Sequence, residues 1–265
     1  MIERAEWAAV AAFFDRRAAT YEHGKLHPWL ARQAVDTTQI SAGTKVLDVA
    51  TGTGLVARCV ARQNLGNTVI GIDISEGMLR VAKEQMSPQQ YFPLARSSAM
   101  ELPFRDSSFL HVFCVASLQY LSDPDECIRE WIRVSKPDGT LTITTFATDG
   151  ITSQRLIRMA CEKEGLAVTD PNTQWGAIQN LHAFLRRHGL TQIHVTEVEH
   201  RESLGDPEPG WRNFLESPLG TDLSSTEQST LHEVKEHYSA MHNELKRTGV
   251  PNVRRCLIAV STVPR

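Results

Sequence analysis

The chain has 265 residues, 41% hydrophobic and 22% charged, with 28 Lys and Arg against 31 Asp and Glu for a formal net charge of −3. A chain of this length buries roughly 70–75% of its unfolded surface, so it needs neither disulfides nor a metal to fold, and its composition excludes a disordered or fibrous protein. The slightly acidic balance leaves no broad cationic footprint for a phosphate backbone and argues against nucleic acid as a partner.

The apolar run Trp7 to Phe14 is short and flanked by Glu3, Glu6 and Asp15-Arg16-Arg17, so it predicts one side of an N-terminal helix and not a leader peptide. From about residue 40, apolar runs and helical patterns alternate, which predicts an α/β fold with a parallel sheet. Lys45 to Val49 is a first strand, followed by a glycine-bearing turn and a helix from Leu55 to Gln63. Thr68 to Ile72 is a second strand, and Ser75 caps a helix running to Gln85. Tyr91 to Leu94 is a short strand that Pro93 confines to a sheet edge or a strand start.

Phe109 to Val115 is the fourth strand. Asp123, Pro124 and Glu126 then supply an N-cap, an N1 proline and a capping-box acid to a helix burying Cys127, Ile128, Trp131 and Ile132. That helix stops at Lys136-Pro137-Asp138-Gly139, before a fifth strand from Thr140 to Thr145. Beyond residue 148, helices near 152–164, 174–188 and 225–248 surround a strand at Gln192 to Val198, and Cys256 to Ser261 is the last strand. Asp206-Pro-Glu-Pro-Gly210 is the most loop-like stretch. No apolar run approaches the roughly 18 residues that span a bilayer.

Chemistry concentrates in Asp48-Val-Ala-Thr51-Gly52-Thr-Gly54, between a strand and a helix. The glycines allow a tight turn and close backbone approach to a ligand at helix-start N–H groups. Gly52-x-Gly54-x-x-Ala57 with a later Asp73 also fits a dinucleotide fingerprint, which leaves a nicotinamide-dependent oxidoreductase open. Asp48, however, would repel a phosphate and welcome an ammonium group. Asp73, at the end of the second strand, can accept from both ribose hydroxyls. The pair suits a ligand with a ribose, a cationic tail and no pyrophosphate, and S-adenosylmethionine is such a molecule.

The sequence here resembles the class I S-adenosylmethionine-dependent methyltransferases. Asp48-x-x-x-Gly52-x-Gly54 and Val69-Ile-Gly-Ile-Asp73-Ile-Ser-Glu-Gly-Met78-Leu79 are similar to their first two motifs. The likeness continues through Ala99 to Phe104, Asp106 to Phe109 and Arg133 to Leu141, while Phe14 to Tyr21 is similar to the branch of ubiquinone and menaquinone biosynthesis methyltransferases. The resemblance implies a Rossmann-like, seven-stranded, mostly parallel sheet with helices on both faces and a helical cap, the last strand antiparallel. It implies one domain, with a core at about 40–147 and return strands at about 191–198 and 255–262, and cap helices at about 1–35, 148–187 and 200–250.

The resemblance also implies site roles. Asp48, Thr51, Gly52 and Gly54 would hold the methionine end and ribose, and Asp73 the ribose hydroxyls. Ile74 and Met78 would pack on the adenine, with Ala99 and Met100 at its edge. Cys114 and Val115 would offer a carbonyl to the ammonium, and Tyr21 would close over the cofactor. Ser98 stands where such enzymes commonly carry an acid accepting from the adenine amino group, and a neutral hydroxyl bonds more weakly.

Methyl transfer is an in-line displacement that asks the protein mainly for alignment and water exclusion. His23 and Gln119 are the polar candidates for a chemical role, against the alternative of solvated loop residues. His111, inside a strand, reads as structural. Trp175 and Trp211 either line a substrate pocket or pack. His232, His237 and His242 recur every five residues, and successive side chains diverge by about 140° on a helix, so they predict a solvated surface and no metal site. The Asp125, Glu126, Arg129 and Glu130 cluster reads as pairing on an exposed helix face. Five cysteines (Cys59, Cys114, Cys127, Cys161, Cys256) without a C-x-x-C pair predict reduced, mostly buried thiols in a cytoplasmic protein. The expected function is methyl transfer from S-adenosylmethionine to a small-molecule substrate, quinone-like or a natural-product intermediate. The alternative is a protein that binds S-adenosylmethionine and promotes another reaction. Acceptor atom and oligomeric state are not fixed by the sequence.

Overall fold

A computed structural model describes residues 2–63, 65–87, 90–218, 223 and 225–265, with side chains from Trp7 onward. The expected cap stretch 200–250 thus includes residues 219–222 and 224, which lie outside the described residues. The backbone falls into two compact units: Met1–Thr145, Ile178–Thr196 and Leu257–Arg265 form one, and Phe146–Ala177 with Glu197–Cys256 the other.

The first unit opens with helices α1 (Ile2–Arg17) and α2 (Leu26–Thr37), joined by a 3-10 turn at Ala18–His23. Then β1 (Lys45–Val49), α3 (Leu55–Arg62), β2 (Thr68–Asp73), α4 (Glu76–Glu84), β3 (Leu94–Arg96), β4 (Phe109–Cys114) and α5 (Pro124–Val134) alternate as expected. Ser75 accepts from the Met78 N–H, and Asp123 from the Glu126 N–H at 2.8 Å, so both predicted caps form. Helix α5 buries Cys127, Ile128, Trp131 and Val134, the last in place of the half-buried Ile132. β3 starts three residues later than Tyr91: the Pro93 carbonyl accepts from Gly71, but its ring has no N–H to continue a ladder. β3 lies at a sheet edge, as its proline requires.

With β5 (Ser135–Ile151), β6 (Thr191–Glu202) and β7 (Asn252–Thr262), the described strands form one seven-stranded sheet in the order β3-β2-β1-β4-β5-β7-β6. The first five are parallel, and buried Val46, Leu47, Val49, Val112 and Phe113 explain their unbroken apolar runs. β7 is antiparallel to β5: Val263 N–H reaches the Gly139 carbonyl at 2.8 Å and Ser261 Oγ reaches that of Leu141, so numbers fall on one strand as they rise on the other. Helix α5 ends at Val134, so the expected stop holds. However, β5 begins at Ser135 and not Thr140, and Lys136 to Gly139 form a bulge inside it, with Asp138 at φ 61° and a register shift opposite Phe109 and His111. His111 is buried, accepts from the Ser41 N–H at 3.2 Å and pairs with Thr140 Oγ1, as a structural histidine does.

The second unit contains α6 (Thr152–Lys163), α8 (Glu208–Glu216) and α9 (Gln228–Arg247), whose core joins Leu156, Ile157, Cys161, Trp211, Phe214, Val234 and Tyr238. Trp211 is therefore a packing residue, stacked on Tyr238 with centroids 6.1 Å apart. Contrary to expectation, the Asp206 to Gly210 stretch starts helix α8. Asp206 accepts from the Glu208 N–H, and Pro209 sits in the first turn, where a missing donor costs nothing. His242 is also buried, against Tyr238, and does not lie on a solvated face. Helix α7 (Ile178–Arg187), in the first unit, begins later than residue 174. Preceding it, Asp170 ties residues 170–173 into a turn, accepting from the Asn172 N–H while its carbonyl takes the Thr173 N–H. No described helix is long and apolar enough to cross a membrane.

Candidate functional site

The turn after β1 alternates through left-handed backbone, with Ala50 at φ 53°, Gly52 at 56° and Gly54 at 80°. An alanine held there costs about 1–2 kcal/mol, so the chain is bent on purpose at Ala50. Ala116, just after β4, has φ 57° and donates its N–H to Thr144 Oγ1. Asp48 is 1% exposed at the base of the turn. Its Oδ2 accepts from Thr51 Oγ1 at 2.6 Å and from the Ala57 N–H at 3.2 Å, so a carboxylate caps the first turn of α3. Gly71, opposite Asp48 in register, makes room for this: a Cβ there would lie 2.8 Å from Thr51 Oγ1.

Asp73 joins the two halves of the site. Its Oδ2 accepts from the Gly52 N–H and its Oδ1 from the Ser75 N–H, each at 2.8 Å. The Ile74 N–H also bonds to this carboxylate, which keeps acceptor capacity for a ligand donor. Burial pushes both acids up, Asp48 to about 7 against the pull of its Thr51 and Ala57 bonds, with Asp73 adding to the rise of Asp48 and Asp15 to that of Asp73. The site therefore holds two acids that a cationic ligand would help to ionise.

Two cavities open here. The larger, about 740 Å³, is lined by Tyr21, Gly52, Asp73, Ile74, Met78, Ser98, Ala99 and Met100 and by Trp7, Val10, Phe14, Tyr120, Leu121 and Cys127. The smaller, about 370 Å³, is lined by Tyr21, His27, Asp48, Thr51, Gly52, Val115 and Ala116 among others. Tyr21 faces both; burial, then Tyr120, raises its phenol above the usual range.

Side chains from far along the sequence fix these walls. Asp15 Oδ1 accepts from Ser75 Oγ at 2.6 Å and from the Gly77 N–H at 2.8 Å, docking α1 on the start of α4. Trp7 Nε1 donates to Ser122 Oγ at 2.9 Å. Buried Arg58 forks onto both oxygens of Glu22, at 2.7 and 2.8 Å, and donates to the Thr53 carbonyl, linking the 3-10 turn to the glycine turn. On the other side, buried Trp131 donates to the Ala99 carbonyl, Glu130 accepts from the Leu102 N–H, and Arg133 holds the Leu102 and Phe104 carbonyls. Glu130 consequently turns to Arg133 and Asp125 to Arg187, leaving only Arg129–Glu126 of the expected surface pairing.

Most of the residues singled out in the sequence thus come together. Gly54 and Cys114 lie behind the walls: Gly54 starts α3 against Phe92, and Cys114 is fully buried. His23 is exposed and lines neither cavity. Gln119 also lies outside both; its Nε2 donates to the Ala116 carbonyl and its buried Oε1 takes no bond. Ser98 lines the larger cavity while its Oγ accepts from the Met100 N–H. Sequence reasoning missed His27, Trp7, Asp15, Glu22 and Arg58; only the i, i+3, i+7 spacing of Trp7, Val10 and Phe14 pointed to one of these walls.

Residues 47–143 match the family described as a methyltransferase domain. This segment carries Asp48, Gly52, Asp73, Met78, Ser98 and Ala99, whereas Tyr21 and His27 precede it. The methyltransferase GfsG of Streptomyces halstedii is 30% identical over 174 residues, covering 64% of this chain and 60% of GfsG. A demethylmenaquinone methyltransferase of Renibacterium salmoninarum is 34% identical over 145 residues, covering 52% of this chain and 59% of its own. The chain thus spans about 60% of the length of these curated relatives. Among solved structures, the YcgJ protein of Bacillus subtilis has a TM-score of 0.60 at 17% identity, covering 89% of this chain and 99% of that one, a likeness of fold.

Proposed function

We propose that the protein transfers a methyl group from S-adenosylmethionine to a small-molecule acceptor in the cytoplasm. The observation that carries this reading is Asp48, buried against the N-terminus of α3. A dinucleotide would need its pyrophosphate at that helix end, where a carboxylate already takes the N–H of Ala57. A cationic amino-acid tail fits where a pyrophosphate does not. The family match of residues 47–143 supports the same reading.

The bound sulfonium would supply an activated methyl group for in-line displacement. Asp73 would accept from the ribose hydroxyls while holding Gly52 and Ser75 in place. Ile74, Met78, Ala99 and Met100 would enclose the purine, with Trp131 and Arg133 fixing the loop that carries Ala99. Ser98 would offer a hydroxyl in place of a carboxylate at the purine edge. Phe14, Tyr21 and Tyr120, edge to face at 5.0 and 6.3 Å, would exclude water. The apolar lining suits a moderately hydrophobic acceptor, quinone-like or a natural-product intermediate, that gives up its proton without a strong base.

Calorimetric titration with S-adenosylhomocysteine tests the cofactor, and methyl-labelled S-adenosylmethionine with hydroquinone and polyketide-type acceptors tests transfer. Tight binding and labelled product are expected. Binding of NADH in place of S-adenosylhomocysteine would overturn the reading, as would product that stays unlabelled while still requiring the cofactor.

A further inference from the structure

The backbone just after β4 shapes a stretch of wall that both cavities share. Val115 lines the smaller cavity, Ser117 the larger, and Ala116 both. The β4–β5 ladder ends with Cys114 opposite Ile143. One residue further along β5, the Thr144 hydroxyl takes the Ala116 N–H at 2.9 Å. The Ala116 carbonyl accepts from Gln119 Nε2 at 3.3 Å. Gln119 sits in a 3-10 turn, Leu118–Tyr120, anchored by the fully buried Leu118. Ala116 thus has both polar groups engaged while its φ of 57° crowds its Cβ against neighbouring backbone. Gln119 carries a second oddity. Its Oε1 is buried without a hydrogen-bond partner among the described residues, and such an acceptor destabilises a fold.

We propose that Gln119 is a positioning residue that holds Ala116 in its left-handed conformation, and with it the wall that receives S-adenosylmethionine. The assignment deepens the proposed function and rests on its cofactor. Thr144 fixes only the N–H side of Ala116. Rotation about the N–Cα bond swings the carbonyl and leaves that N–H in place, so Gln119 is the restraint that opposes relaxation to negative φ. Once it is lost, ligand binds only the molecules that still hold the turn, and apparent affinity falls by that fraction. Gln119 therefore acts on the ligand through Ala116, although its own side chain lines neither cavity. Backbone strain and an orphan acceptor, kept together beside a ligand wall, serve binding and not stability.

The test uses calorimetry with S-adenosylhomocysteine, and urea unfolding without it, on the full chain. Parent, Gln119→Met, Ala116→Gly and the double variant are compared. Methionine matches glutamine in length but has no N–H to give. Gln119→Met is expected to lose about three- to tenfold in affinity, the size of one neutral hydrogen bond. Its urea midpoint is expected to stay level or rise, because the strain at Ala116 and the orphan acceptor go with the bond. Glycine visits left-handed backbone without steric penalty, so in the Ala116→Gly background the same Gln119→Met change is expected to alter affinity by less than about twofold. An unchanged affinity in Gln119→Met would overturn the proposal, as would a loss equally large in the glycine background. A midpoint that falls together with affinity would overturn it too. A parent that does not bind S-adenosylhomocysteine would overturn the cofactor reading first, and this assignment with it.

Discussion

Asp48→Asn isolates the cost of burying an acid in the ligand site. The side chain keeps an oxygen for Thr51 Oγ1 and the Ala57 N–H but can no longer ionise. Burial raises Asp48 from 3.8 to about 7, and a shift of about 3 units corresponds to ~4 kcal/mol between protonation states. The folded pKa lies above the unfolded one, so between pH 4 and 7 the folded state holds more protons. The stability linked to this group is therefore present at pH 4, falls as pH rises to 7, and stays lost above it. Urea unfolding of parent and variant at pH 4.5, 6 and 8, without ligand, reads the difference. The variant is expected to gain on the parent as pH rises, by up to ~4 kcal/mol at pH 8. Parallel pH profiles for the two proteins, or a variant that loses ground as pH rises, would refute the argument.

The same acid predicts ligand behaviour: parent affinity for S-adenosylhomocysteine should decline below pH 7 as Asp48 protonates, and Asp48→Asn should flatten that profile in calorimetry. Asp73→Ala is expected to weaken S-adenosylhomocysteine by about 1.5–3 kcal/mol, the range for hydrogen bonds to a charged group; unchanged affinity would remove Asp73 from the ribose. Glu22→Gln leaves the buried Arg58 guanidinium without its carboxylate, so thermal unfolding should show about 1.5–3 kcal/mol of lost stability, with faster proteolysis near residues 18–24. An unshifted transition would count against that ion pair. Burial lowers the His242 pKa, so the stability linked to it is present above about pH 6.5 and is lost as pH falls below that value. His242→Phe should shallow the acid limb of the unfolding profile, and an unaltered limb would refute the assignment.

What could be read in the sequence follows sequence distance. The strands β1 to β5 and their helices were legible because parallel strands buried on two faces leave continuous apolar runs, and because Ser75 and Asp123 announce helix starts locally. Asp48 and Asp73 were legible because their roles depend on strand ends next to a glycine turn. The strap formed by Trp7, Asp15 and Glu22 was not. Its partners lie 36 to 115 residues away, and nothing local marks an acid that will meet a distant backbone amide. His23 was one of two polar candidates for a chemical role, yet it is His27, four residues on and in the next helix, that lines a cavity. The helix at Glu208 was hidden by prolines and a glycine that usually signal a loop, since an Asp two positions earlier supplies the missing cap.

The unequal anchoring of α1 bears on the larger cavity. Near residue 15 a carboxylate receives two donors, whereas at Trp7 one neutral indole–hydroxyl bond ties the helix to Ser122. Charge-assisted bonds are roughly twice as strong as neutral ones, so the helix parts first at its Trp7 end. Trp7, Val10 and Ser122 all line the larger cavity, so the most weakly held part of α1 is also part of that cavity's wall. Ser122→Ala, which also removes the bond from Ser122 Oγ to Met100 Sδ in the same wall, would then loosen helix and cavity lining together.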